Sequence, residues 1–157
     1  MFAESTRHAA MVQARDSGKP AVSGKVTLVQ ETEKEVQAGF LIYLPHYRTG
    51  VPLDTVEQRH SALIGFVYSP FRAKDLMQGI LGTRTPLIDF KVFDGEGDAK
   101  ENLLYASPQS HDAAHTQPQF TTEEQIQLPG RVWTVNFASS TQLERDMRSY
   151  QPLIIGW

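Results

Sequence analysis

Apolar positions along this chain fall into short runs whose period changes, and the period decides which element each run can form. Residues 5 to about 17 place Ala9, Ala10, Met11, Val12 and Ala14 among polar side chains and close on Asp16-Ser17-Gly18, the pattern of a short helix with its stop. "AVSGKVTLVQ" then offers Val26, Leu28 and Val29 as a strand, and "ETEKE" at 31–35 reads as a solvated turn. "GFLIYLPHY" opens as a second strand, 39–45, with Pro45 as its stop signal, so the two strands make a hairpin with a polar tip. "RTGVPLDTVEQR" at 48–59 reads as a loop with a helical turn around Val56. "SALIGFVYSPF" follows as a strand, in which Gly65 marks a bulge or a close backbone approach. Ser69 and Pro70 then predict the N-cap and first residue of a helix whose apolar side is Phe71, Leu76, Ile80 and Leu81.

Past Gly82 the pattern starts again. "PLIDFKVFDG" alternates strictly, and "NLLYAS", "QIQLPG" and "RVWTVNFAS" follow as further strands, which together predict an antiparallel meander. Leu128-Pro129-Gly130-Arg131 is the turn between the last two, and the polar insertion "SPQSHDAAHTQPQ" separates the second strand from the third. The expectation is therefore an α+β chain that divides near residue 82 into two lobes of helix and antiparallel strand. At the end, "YQPLIIGW" is a hydrophobic ramp that reads either as the start of a transmembrane helix at 151–157 or as a tail docked on the core.

Composition narrows the function classes. A chain of 157 residues holds one domain or two small lobes, and a formal charge of −3 without any Lys/Arg run argues against nucleic acid as the main partner. The sequence has no cysteine, which excludes thiol catalysis, disulfides and cysteine zinc sites. The N-terminus carries Glu4 and Asp16 and lacks the apolar core of a signal peptide. His111 and His115 have the spacing of metal ligands on a helix, but their Ser/Pro/Gln-rich flanks favour an exposed loop. "DGEGD" at 94–98 is a β-turn rather than a calcium loop, and the acids at 31–35 and 122–124 read as solvated faces. No nucleophile-and-base arrangement, P-loop or dinucleotide motif is present, so neither catalysis nor a cofactor is expected. Tyr43, Tyr47, Phe66, Tyr68 and Phe71 gather in or near the strands of the first lobe, where they suit a pocket rim or a β-core equally.

"ARDSGKPAVSGKVTLVQ", "GFLIYLPHY" and "RHSALIGFVYSPFRAKDLMQGIL" together resemble the CHASE domain, the extracytoplasmic sensory module of plant and bacterial membrane receptors. The resemblance runs from Ala14 to about Leu81 and more loosely to residue 138. It implies two PAS-like lobes with antiparallel sheets and connecting helices: a distal ligand-binding lobe at 1–82 and a membrane-proximal lobe at 83–150. It further implies a periplasmic location, no enzymatic activity in this part, and flanking membrane helices that join a histidine kinase or cyclic-di-GMP enzyme. Measured against that pattern, the first membrane helix, the stalk helix that would pair two copies as a homodimer, and the first distal strand are expected to be missing.

By the same resemblance the ligand-binding residues are Arg7, Ser23, Val29, Tyr43 and Tyr68. Arg7 stands where cytokinin-binding members carry an acid, and a guanidinium donates hydrogen bonds where an acid accepts them. Tyr43 replaces a small threonine and Tyr68 a glycine, filling much of a purine-sized cavity. The implied ligand is then a small anionic or hydrogen-bond-rich molecule held by Arg7 and bounded by the two tyrosines. The alternative is a ligand-free structural or dimerisation spacer.

Overall fold

Helix α1 (Ser5–Ser17) forms where the 3.6-residue period of small apolar residues predicts it, and Gly18 ends it with a φ of 71°. The structure, a computed structural model, describes residues 5–28, 37–82, 86–108 and 117–149. Val29, the acidic turn at 31–35, His111, His115 and the apolar ramp at 151–157 lie outside the described residues. Among the described residues no helix is long and apolar enough to cross a membrane.

Two antiparallel sheets make up the body of this α+β fold. In the first, strand β3 (Gln37–Tyr47) is central, with β1 (Ala21–Val22) and β2 (Val26–Leu28) along one side and β4 (Leu63–Arg72) along the other. The strand does not stop at Pro45, and the hydrogen-bond pattern explains why. Leu41 exchanges its backbone bonds with Ser23 on the β1 side, so odd-numbered residues of β3 turn away from β4. The imide nitrogen of Pro45 therefore faces a stretch where β1, which begins opposite Tyr43, offers no partner. Pro70, opposite Leu41, likewise turns outward from the free edge of β4.

That edge position also corrects the predicted helix start. Ser69, Pro70 and Phe71 continue β4, pairing with Ile42, Leu41 and Phe40, and helix α3 (Ala73–Leu81) begins only after Arg72. Phe71 is thus a strand residue stacked on Phe40 at 5.3 Å rather than part of the helix's apolar side. Its stacking and cross-strand pairing outweigh the local Ser-Pro capping signal. Gly65 lies beside a bulge, since the register shifts between His46 and Tyr47 opposite it. Before β4, helix α2 (Val56–Ala62) extends the expected turn and opens on a capping box formed by Thr55 and Gln58.

The second sheet holds β5 (Ile88–Asp94), β6 (Leu103–Ala106), β7 (Thr121–Leu128) and β8 (Arg131–Ser139) in the order β6-β5-β8-β7. It is not the expected meander. The last strand inserts between β5 and β7, and the polar insertion after β6 connects opposite edges of the sheet. Helix α4 (Thr141–Ser149), absent from the sequence reading, follows β8 with Ser140 Oγ accepting from Leu143 N at its start.

The strands of the first sheet all precede α3 and those of the second all follow it, yet the two share a core. Phe40, Val22 and Ala73 from before residue 82 pack with Val92, Leu104, Trp133 and Val135 from after it. Phe40 meets the Trp133 ring edge-on at 4.9 Å. A smaller cluster under α1 joins Ala10, Met11, Ala14, Ala21, Val26, Leu41 and Tyr43. Strand β3 thus serves both cores, odd-numbered residues toward α1 and even-numbered ones toward the second sheet.

Candidate functional site

Helix α1 positions the region singled out by the sequence. Arg7, Ala10, Met11 and Ala14 recur at helical spacing, so Arg7 shares the stripe that faces the first sheet. Arg7 is half-buried, and its Nε is fully shielded from solvent. The helix is tied down at its C-terminal end. Tyr47 donates its phenol proton to the Arg15 carbonyl at 2.5 Å, and burial pushes the Tyr47 pKa up. His60 Nε2 lies 2.7 Å from Asp16 Oδ1, and Arg59 Nε donates to the Asp16 carbonyl at 2.8 Å. The Arg15 hydrogen bond, assisted by His60, holds the Asp16 carboxyl below its ordinary range.

Beneath this helix Tyr43 and Tyr68 are cross-strand partners whose rings lie 5.8 Å apart. Their environments differ sharply. Tyr43 is 1% exposed and belongs to the core under α1, with Phe66 edge-on at 6.1 Å, whereas Tyr68 on the outer strand is 45% exposed. Ser23 is also buried on this face, but its hydroxyl is occupied: it donates to the Gly24 carbonyl at 2.8 Å and accepts from Leu41 N at 2.9 Å. The structure thus brings Arg7, Tyr43, Tyr68 and Ser23 to one face of the first sheet, with Ser23 engaged in joining β1 to β3. Arg7, on the sheet-facing stripe of α1, supplies a cation on this side of the sheet, and Tyr68 supplies a half-exposed aromatic ring. Among the described residues no group of three or more His, Asp or Glu side chains is placed to hold a metal ion.

A second concavity was not anticipated. The face of the second sheet opposite the shared core borders a cavity of about 1060 Å³. Across it, strand register sets Lys91, Asn136 and Glu123 side by side on three adjacent strands. At its margin two buried carboxylates are held by hydrogen bonds. Glu144 on α4 accepts from Gln119 N at 2.7 Å and from the Ser139 hydroxyl, while Asp89 accepts from Ser107 Oγ at 3.3 Å. The sequence signal for this face was the alternation in "PLIDFKVFDG", which separates Asp89, Lys91 and Phe93 from Ile88, Phe90 and Val92. What it lacked was the strand order that brings β8 and β7 alongside.

Comparison with family models matches residues 1–105 to the CHASE domain. No curated protein matches the chain.

Proposed function

Because this chain belongs to the CHASE domain family, extracytoplasmic sensory domains of membrane receptors, we propose that it is the ligand-sensing portion of a membrane-bound signalling receptor, of the histidine kinase or cyclic-di-GMP enzyme type. In this reading it works in the periplasm, carries no catalysis of its own, and pairs with a second copy in the complete receptor. A small molecule binds in the first lobe and changes the geometry passed toward the membrane. The carrying observation is a guanidinium on the sheet-facing stripe of α1, the same stripe that packs on Tyr43, together with a cross-strand Tyr43–Tyr68 pair in which one ring is half-exposed. Arg7 favours an anionic group on the ligand, and Tyr68 supplies an accessible aromatic wall.

The ligand can drive signalling only as far as its affinity differs between two states of the lobe. A thermal-shift screen of the chain against acetate, succinate, benzoate and adenine, repeated with Arg7→Ala, tests the reading. Ligand at 100 times its dissociation constant adds about 2.7 kcal/mol, roughly 5–10 °C for a chain of this length. A shift with the anions that Arg7→Ala abolishes is the expected result, and a shift with adenine alone overturns the role of Arg7. A second reading, a ligand-free spacer, is favoured by the burial of Tyr43 in the α1 core. It predicts that no compound moves the midpoint.

A further inference from the structure

The cavity on the second sheet has the size of a small-molecule site and a chemical polarity of its own. Alternation along β8 turns Trp133, Val135 and Phe137 to the shared core, leaving Asn136 on the cavity face. Its Oδ1 is buried and has no hydrogen-bond partner among the described residues. A buried acceptor left this way is costly unless something donates to it. On either side, in register, stand Lys91 of β5 and Glu123 of β7, both solvent-exposed. Neighbouring strands lie about 4.8 Å apart, so a cation, an amide and a carboxylate are spread across roughly 10 Å of sheet. Phe93, buried on the same face, adds an apolar wall.

We propose that this face binds a small zwitterion carrying an ammonium and a carboxylate, a free amino acid by chemical class. The ligand carboxylate accepts from Lys91 Nζ, and the ligand ammonium donates to the Glu123 carboxylate and, once the Asn136 amide turns its shielded Oδ1 toward the cavity, to that oxygen. A simple anion leaves Asn136 Oδ1 and Glu123 unanswered, and a simple amine leaves Lys91 unanswered, so both charges are needed on one molecule. This site is separate from the Arg7–Tyr43–Tyr68 face and does not depend on it.

The test is isothermal titration of the full chain with the twenty free amino acids, and with the N-acetyl and amide derivatives of any that bind. One or more free amino acids bind, while the N-acetyl form, without its ammonium, and the amide, without its carboxylate, bind at least tenfold more weakly. Glu123→Gln, at an exposed position that leaves folding untouched, and Asn136→Leu each weaken binding about tenfold or more. The proposal is overturned if no amino acid binds, if the blocked derivatives bind as well as the free ones, or if the Glu123 and Asn136 variants retain full affinity. Loss of binding in Arg7→Ala alone also overturns it, by relocating the site to the first lobe.

Discussion

Asp94 ends β5 with a carboxylate only 4% exposed, held from the neighbouring strand β8 by Arg131 and from the other sheet by Lys25. Arg131, at the start of β8, donates Nε to Oδ1 at 2.7 Å and Nη2 to Oδ2 at 2.6 Å, a two-pronged pair. Lys25, between β1 and β2, donates its backbone N–H to Oδ2 at 2.7 Å, so the same carboxylate joins the two sheets. Asp94→Ala removes all three bonds. Charge-assisted bonds contribute about 1.5–3 kcal/mol each when shielded, but the Arg131 side chain is 37% exposed and water replaces much of its share. The net loss comes to about 2–3 kcal/mol, or roughly 5–10 °C in the melting midpoint for a chain of this length. Asp94→Asn keeps an oxygen for Lys25 N and costs about half as much. Arg131→Ala leaves the buried carboxylate with Lys25 N and without its cation, so its cost matches or exceeds that of Asp94→Ala. The double variant then costs less than the sum of the two. Circular dichroism melts of the four variants at pH 7 decide the matter. A fall of less than 2 °C for Asp94→Ala, or strict additivity in the cycle, refutes the account.

Other expectations follow from single contacts. A Cβ at Gly39 would lie 2.4 Å from the Phe71 carbonyl oxygen, a backbone atom of the paired strand, so Gly39→Ala lowers stability by about 1–3 kcal/mol in a urea melt, whereas Gly65→Ala, with nothing within 4 Å, leaves it nearly unchanged. Phe40→Ala, which removes the ring between Phe71 and Trp133, costs about 3–5 kcal/mol and changes tryptophan fluorescence, although the mutated position lies on the other sheet. Asp16 titrates below its ordinary value in the folded chain, so its stabilising contribution is present above about pH 4 and is lost as pH falls through the lowered folded value. The melting midpoints of wild type and Asp16→Asn therefore differ at pH 7, and the difference shrinks progressively as the pH is lowered below about 4.

Local pattern was enough to place most elements and not enough to order them. The alternation in "PLIDFKVFDG" fits β5, and Pro129-Gly130 fits the β7–β8 turn, where Gly130 has a φ of 76°. The position of β8 beside β5 was illegible because it depends on contacts across some forty residues, and Ser69-Pro70 misled because a strong local cap was set against a pairing partner distant in sequence. The same limit governs the sites. Period two along β3 puts Leu41, Tyr43 and Pro45 on one face, but only the packed structure distinguishes the buried Tyr43 from the half-exposed Tyr68. Lys91, Asn136 and Glu123 become neighbours solely through register, so no motif announces them.

For a sensor, the double duty of β3 limits how one face can inform the other. Tyr43 packs under α1 while Phe40, three residues earlier, packs against Trp133, so the two cores are separated by the thickness of a single strand. A one-residue slip of β3 would exchange its faces, driving Phe40 and Ile42 beneath α1 and Tyr43 into the second core. Pro45 opposes such a slip as well, because it would turn the imide from its unpaired side toward β4, which needs an N–H there. Movement transmitted between the α1 face and the Trp133 face must therefore be a tilt or shift of β3 with its partners in register. Close packing favours discrete rearrangements over continuous deformation. Substitutions that loosen Phe40 should then weaken any coupling between the lobes while leaving contacts beside Arg7 in place.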